Sequence, residues 1–115
     1  MKNTLYTKSQ LVKMKKNYNK SALTGETNHK PVVKWFNPMG SQTWLITEID
    51  ETETQAFGLC DLGMGTPELG FIDMEEIRNI RLPFGLKIER DIYTTLDKTI
   101  SEYAKEAREK QVIIC

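Results

Sequence analysis

The chain contains few of the side chains on which metal binding and nucleophilic catalysis usually depend. Its 115 residues include one histidine, His29, and two cysteines, Cys60 and Cys115. Zinc sites need clusters of cysteine and histidine, and Ser/His/Asp or Cys/His chemistry needs a histidine held in place. His29 lies in a polar loop, where we expect a solvated side chain. The sequence therefore predicts no catalytic residue, no metal and no cofactor, and two free thiols in a reducing compartment.

Long hydrophobic runs are absent as well. No apolar stretch approaches the ~20 residues that a membrane-spanning helix needs, and the first residues, MKNTLYTKSQ, lack the apolar core of a signal peptide. We therefore expect a single cytoplasmic domain over residues 1–115, with no membrane partner. The five methionines and the apolar tail QVIIC permit either a monomer or a homodimer.

The sequence has no net charge, but its charges are unevenly distributed. Residues 1–34 hold eight lysines and one glutamate, whereas residues 35–94 hold eleven acids and four basic residues. Such asymmetry indicates either a patch that binds nucleic acid or another polyanion, or a basic helix that covers an acidic sheet. A third interpretation is that both charged faces are simply solvated.

Sequence patterns predict an α+β fold with one antiparallel sheet of about four strands. Four segments are rich in β-branched and aromatic residues, and the links NPMGS and DETE are short enough for antiparallel pairing. The strands are expected at residues 31–36, 42–49, 54–60 and 68–72, within a β-rich core that spans residues 31–93.

Three helices are expected around this sheet. Thr7 and Gln10 have the spacing of a capping box, and Asp73 is placed to cap a short middle helix. Apolar residues at helical spacing near the C-terminus predict a longer last helix. The expected ranges are 8–18 for a basic amphipathic helix, 19–30 for a loop and 95–110 for the C-terminal helix.

The glycine-rich stretch GLCDLGMGTPELGFID, residues 58–73, looks most like a binding loop. It lacks the lysine and the Ser/Thr of a phosphate-binding loop, and its acids do not have the spacing of a calcium loop. Gly63 and Gly65 can adopt positive φ angles, and Pro67 stiffens the exit. The stretch therefore predicts a tight connection between two strands.

The triplet Glu89-Arg90-Asp91 is the remaining cluster of charged residues that could form a catalytic or binding site. Arg90 can form a bidentate pair with a carboxylate such as Glu68 and so join two segments. Glu89 and Asp91 share one face of an extended chain, and they could instead hold a metal or substrate. We favour structural ion pairs among Glu68, Glu89, Arg90 and Asp91.

Four aromatic residues fall on the expected strands. Aromatic side chains beside lysines can stack on single-stranded bases, whereas large aromatics on central strands commonly belong to the core. We favour the core interpretation for Trp35, Phe36, Trp44 and Phe57.

Four successive segments resemble the DUF2958 family: KPVVKWFNP, TWLITEID, FGLCDLGMGTPELGFIDMEEI and GLKIERDIY. The resemblance covers residues 30 to 93, and the ELGF and IERD pieces are its most specific parts. It implies a domain of unassigned activity that occurs in phages, plasmids and other mobile elements of bacteria, often beside antirestriction genes. No catalytic residues are established for the family, and the longer C-terminal helix of this chain departs from it.

The resemblance and the lack of a visible active site favour a protein that acts by binding. Our leading hypothesis is a non-enzymatic protein that inhibits a bacterial defence nuclease or effector, of the anti-CRISPR or antirestriction type, in the host cytoplasm. An acidic surface could imitate the phosphates of nucleic acid. Its expected contact residues are Glu48, Asp50, Glu51, Glu53, Asp61, Asp73, Glu75 and Glu76.

The alternative is a nucleic-acid-binding accessory protein that uses the basic helix. Its affinity would fall steeply with salt. The expected contacts are Lys8, Lys13, Lys15, Lys16 and Lys20. An enzyme that uses Glu89 and Asp91 as acid, base or metal ligands ranks last.

Overall fold

The computed structural model describes residues 5–115, which form an α+β fold as the sequence predicts. The helices are α1 (Lys8–Thr24), α2 (Met74–Asn79) and α3 (Ile100–Lys110), and a short 3₁₀ turn spans Pro83–Gly85. The strands are β1 (Val33–Phe36), β2 (Thr43–Ile49), β3 (Gln55–Asp61), β4 (Glu68–Asp73) and β5 (Glu89–Arg90). The sheet is antiparallel with the order β4-β3-β2-β1-β5. It therefore has five strands, not four, because Glu89 and Arg90 pair with the outer side of β1.

Helix α1 begins where the sequence predicts but ends later. The capping box is present, with the Gln10 N–H donating to the Thr7 hydroxyl and the Thr7 N–H donating to the Gln10 side chain. The helix continues to Thr24 and stops at Gly25, whose φ of 74° is the left-handed conformation typical of a helix C-terminus. The expected loop over residues 19–30 is therefore wrong in its first part. The extra turns matter because they place Ser21 beside the sheet.

Helix α1 packs beside the part of β2 that β1 does not reach. Strand β1 pairs with β2 only as far as Ile46, so the last part of β2 has no strand on that side. Asn17, which is 6% exposed, donates a 2.9 Å hydrogen bond from its side-chain nitrogen to the Thr47 carbonyl oxygen. This bond gives a partner to a backbone group of β2 on the side that β1 leaves open. It also fixes α1 against the central strand.

Two apolar clusters cover the faces of the sheet. On one face, Trp35 is completely buried and its indole N–H donates a 2.6 Å hydrogen bond to the Leu5 carbonyl oxygen. On the other face, Leu45 and Leu59 pack against α3. The preference for Trp35 and Trp44 as core residues is confirmed, since both are buried, whereas Phe36 and Phe57 are half-buried.

Helix α3 is shorter than predicted. It begins at Ile100, five residues after the expected start, because the Thr99 N–H donates to the Glu102 carboxylate and starts the first turn there. The hydrogen bonds that the N–H and hydroxyl groups of Thr99 donate to the Glu102 carboxylate lower the pKa of Glu102. The buried stripe of Ile100, Tyr103 and Ala107 is present as the spacing predicts.

The glycine-rich stretch is a strand connection. Gly63 and Gly65 have φ angles of 81° and 79°, which few side-chain-bearing residues adopt. The chain turns there from β3 to β4, and these strands pair along their length. The prediction of a tight connection is confirmed.

Candidate functional site

The acids expected to form a partner-binding surface include two that are buried. Glu48 is 7% exposed and Asp61 is 1% exposed. A bulge in β2 between Ile46 and Glu48 changes the register, and Glu48 accepts a hydrogen bond from Ser21 of α1. Asp61 accepts hydrogen bonds from the backbone N–H groups of Gly63 and Ile113. The expectation that these two acids lie on an exposed surface is therefore wrong.

Two further acids stabilise local backbone structure. Asp50 accepts hydrogen bonds from the N–H groups of Thr54 and Gln55 and from the Thr54 hydroxyl, which closes the turn between β2 and β3. Burial alone would raise the pKa of Asp50, but these hydrogen bonds outweigh it and lower the pKa. Asp73 caps α2 by accepting hydrogen bonds from the N–H groups of the first helical turn.

Glu53 joins three parts of the fold. Its carboxylate accepts a 2.6 Å hydrogen bond from the Tyr6 hydroxyl and forms a 3.5 Å salt bridge with Lys15. The Arg78 guanidinium in turn donates a 2.6 Å hydrogen bond to the Tyr6 hydroxyl oxygen. The Tyr6 hydrogen bond is the main reason that the pKa of Glu53 is lowered, and Lys15 and Arg78 add to it.

Few of the predicted acids are left for a partner. Glu75 and Glu76 are exposed and form no ion pair in the part of the chain that the structure describes. Glu51 is also exposed, but it accepts a 2.7 Å hydrogen bond from Asn19. A cleft of about 530 Å³ opens beside Glu75, and Arg78 lines it together with the acids. The charge of this cleft is therefore mixed.

Three of the five predicted nucleic-acid-binding lysines line one pocket. Lys13, Lys16 and Lys20 are spaced three and four residues apart, so they share one face of α1. Together with Lys30, from the segment that precedes β1, they surround a pocket of about 360 Å³, which we call the lysine pocket. None of the four forms a salt bridge with any described residue. Like charges held around one concavity attract an anion.

The other two predicted lysines lie outside this pocket. Lys15 pairs with Glu53, and Lys8 is exposed in the first turn of α1. Lys15 of the basic helix therefore pairs with an acid, but Glu53 lies in the turn between β2 and β3 and not in the sheet, so this pair does not show a basic helix covering an acidic sheet.

A buried polar cluster forms one wall of the lysine pocket. His29 Nε2 lies 2.9 Å from the Ser21 hydroxyl oxygen and 3.6 Å from Glu48 Oε2, and the Ser21 oxygen lies 2.6 Å from the same carboxylate oxygen. The side chains of His29 and Glu48 are each only 9% exposed. His29 also lines the pocket, as does Asn17. The expectation of a solvated histidine is wrong, because α1 extends far enough to cover it.

The cluster orients His29 and does not activate Ser21. In a hydrolase triad the carboxylate holds one ring nitrogen and the serine contacts the other. Here Ser21 and Glu48 both approach Nε2. The Ser21 hydroxyl also lies within hydrogen-bond distance of the Glu48 carboxylate, at 2.6 Å, and of the Glu26 carbonyl oxygen, at 2.9 Å. No described residue forms a hydrogen bond with Nδ1, so the carboxylate that orients the base in a triad is missing.

The predicted ion pair between Glu68 and Arg90 is wrong. Glu68 lies on β4 and Arg90 on β5, at opposite edges of the sheet. Asp91 instead forms a 3.6 Å salt bridge with Lys34, and it accepts hydrogen bonds from the N–H groups of Tyr93 and Thr94.

These contacts set the protonation of Asp91. Burial alone would raise the pKa of Asp91, but the hydrogen bonds from Tyr93 and Thr94 and the charge of Lys34 lower it. Glu89 is exposed at the sheet edge and forms no salt bridge among the described residues.

The two cysteines and the possible metal ligands of the described chain were the remaining candidates for a chemical site. Cys60 and Cys115 are free thiols, as predicted, and burial, aided by the charge of Glu68, raises the pKa of Cys60 to about 11. Within residues 5–115 no three His, Cys, Asp or Glu side chains converge as metal ligands would. None of the helices described is long and apolar enough to cross a membrane.

The sequence patterns missed four residues of the site. Asn17, Ser21, His29 and Lys30 come together only because α1 runs past the end of β1. A signal for Asn17 and Ser21 existed in their spacing, since they lie four and eight residues beyond Lys13 on the same face of a longer helix.

Comparison with known proteins identifies a family but no characterised relative. A family model described as a protein of unknown function, DUF2958, matches residues 5–114. No curated protein and no solved structure matches the chain.

Proposed function

The chain belongs to the DUF2958 family, and from that premise we propose that it is a nucleic-acid-binding accessory protein of bacterial mobile elements, with the lysine pocket as its phosphate site. One observation carries the proposal: four lysines that form no salt bridge in the described chain surround one concavity. Lysines that serve only to keep a protein surface hydrated need not converge on one pocket. Phosphate contacts of this kind supply most of the sequence-independent affinity for nucleic acid.

The electrostatics around the pocket support the same function. The buried acid Glu48 is engaged by Ser21 and His29, and it does not line the pocket. Glu53 is engaged by Tyr6 and Lys15. Of the acids predicted to bind a partner, the exposed and unpaired Glu75 and Glu76 belong to α2 and not to the pocket.

We expect the full chain to bind a short, labelled single-stranded DNA with an affinity that falls steeply with salt. Four phosphate contacts give a slope of log K against log salt of about −3 for a single strand. Fluorescence anisotropy at several salt concentrations measures this slope. A chain that fails to bind at ~50 mM salt, or that binds with no dependence on salt, would contradict the proposal.

A second candidate function is supported by the exposed acids of α2. Glu75 lines a cleft of about 530 Å³, and the neighbouring Glu76 is also exposed and unpaired among the described residues, so a basic segment of another protein could bind there. In this function the protein inhibits a bacterial defence nuclease or effector by occupying its nucleic-acid channel. It is the weaker candidate because Arg78 lines the same cleft and most of the predicted acids have intramolecular partners.

Affinity purification from a nuclease-treated bacterial lysate tests the second candidate. We expect the wild-type protein to retain a nuclease or effector complex, and the variant Glu75→Gln/Glu76→Gln to lose it, because the two charges that contact the partner are removed. The variant Glu106→Gln/Glu109→Gln on α3 carries the same change in net charge and serves as the control. Recovery of no nuclease or effector with the wild-type protein would rule this function out.

A further inference from the structure

We infer that the lysine pocket holds a terminal phosphate monoester, so that the protein recognises a phosphorylated end of a nucleic-acid strand. This inference rests on the proposed function and names the group that its site binds. The four lysines surround the ligand, and His29 and Asn17 form the part of the wall that is shielded from solvent. The pocket volume of about 360 Å³ falls within the ~300–1,000 Å³ typical of small-ligand sites.

His29 is the residue that distinguishes this pocket from a basic surface. Its Nε2 is held by Ser21 and Glu48, and no described residue bonds to its Nδ1. Every buried side-chain nitrogen and oxygen of the described chain has a partner, so Nδ1 is accessible to solvent, and His29 lines the pocket. Nδ1 is therefore the ring nitrogen that can form a hydrogen bond with an anion in the pocket. Ser21 and Glu48, 2.9 Å and 3.6 Å from Nε2, hold the ring in this orientation.

A terminal phosphate fits such a pocket better than a phosphate within the strand. A monoester carries a charge of about −1.5 to −2 near neutral pH and has three acceptor oxygens, whereas an internal diester carries a single charge. The chain continues on both sides of an internal phosphate, which suits an open groove more than a concavity bounded by α1 and the segment at His29 and Lys30. The wall formed by His29 thus adds a directed hydrogen bond to the nonspecific attraction of the lysines.

The experiment compares one single-stranded DNA sequence with hydroxyl ends, with a 5′-phosphate and with a 3′-phosphate, all bound to the full chain at the same ionic strength. We expect one of the two phosphorylated strands, with its phosphate at either the 5′ or the 3′ end, to bind about tenfold more tightly than the hydroxyl-ended strand. The reason is that a charge-assisted hydrogen bond and extra charge are gained. Inorganic phosphate should compete against the phosphorylated strand and reduce this difference. Thermal unfolding checks that the wild-type protein and each variant described below are folded.

Two variants assign the preference to the wall of the pocket. His29→Ala removes the imidazole, and Ser21→Ala removes the hydroxyl that orients it. Both variants should bring the ratio of the affinity for the preferred phosphorylated strand to the affinity for the hydroxyl-ended strand close to one. Lys105→Gln, an exposed lysine of α3, should leave the ratio unchanged. If the wild-type protein binds all three strands equally, the inference is overturned and the proposed function stands. If it binds none of them, the proposed function falls as well.

Discussion

Replacing Gly58 by alanine is expected to destabilise the protein by about 3 kcal/mol or more, whereas the same change at Gly70 is expected to be nearly neutral. A β-carbon at Gly58 would overlap the carbonyl oxygen of Leu45. It would also lie 2.9 Å from the Leu45 carbonyl carbon and 3.0 Å from the Ile46 α-carbon. All three atoms belong to the backbone of the central strand β2. No side-chain rotation can therefore relieve the overlap, and the two strands must separate.

Gly70 provides a matched control for this prediction. It lies on β4 directly opposite Gly58, and a β-carbon added there would have no neighbouring atom within 4 Å. Urea unfolding followed by the fluorescence of the buried Trp35 and Trp44 measures both changes in the free energy of unfolding. A Gly58→Ala variant within about 0.5 kcal/mol of the wild type would show that β2 and β3 are not held as closely as the structure indicates.

The strand irregularity next to Gly58 contributes to the site. Ile46, the partner of Gly58, immediately precedes the bulge that shifts the register of β2. At the bulge the Thr47 carbonyl oxygen accepts a hydrogen bond from Asn17, and just after it Glu48 accepts one from Ser21. The irregularity of one strand thus supplies both groups that fix α1 and His29.

Local patterns predicted the parts of the fold that depend on a few neighbouring residues. The capping box at Thr7 and Gln10, the Asp73 cap and the turn at Gly63 were all visible in the sequence, because each involves residues at most three positions apart. The end of α1 was not visible, since residues after Tyr18 carry no regular apolar stripe. Those residues stay helical because Asn17 and Ser21 bind to the sheet.

The candidate site could be predicted only in part for a related reason. The stripe of Lys13, Lys16 and Lys20 follows from helix geometry alone, and it was predicted as part of a larger basic set. The face of β2 on which Glu48 lies depends on a bulge, and the separation of Glu68 from Arg90 depends on the strand order. Neither the bulge nor the strand order leaves a mark in single-sequence periodicity.

The two charged regions of the sequence contribute differently to the folded protein. Many acids of the central region act within the molecule, as in the hydrogen bonds of Glu53, Asp61 and Asp50. Four lysines of the basic region are left without such partners among the described residues. An electrically neutral sequence therefore produces a local cationic site, and this site is where binding is expected.

Replacing the four lysines of the lysine pocket by glutamine is expected to reduce the affinity for single-stranded DNA by about a thousandfold at ~50 mM salt. Each phosphate contact releases a condensed counterion, so the loss of four contacts removes the entropy gained from about three released ions. The slope of log K against log salt should become less steep by about three, which separates a loss of contacts from a loss of folding. Fluorescence anisotropy across a range of salt concentrations measures both quantities.

The control for this prediction makes the same change in net charge elsewhere. Lys87, Lys105, Arg108 and Lys110 lie outside the lysine pocket, and the last three belong to α3 on the other face of the sheet. Their replacement by glutamine should lower the affinity only through the weaker long-range attraction, by about tenfold or less, and should leave the slope nearly unchanged. Equal losses of affinity and slope in the two variants would mean that net charge, and not the pocket formed by α1 and Lys30, governs binding.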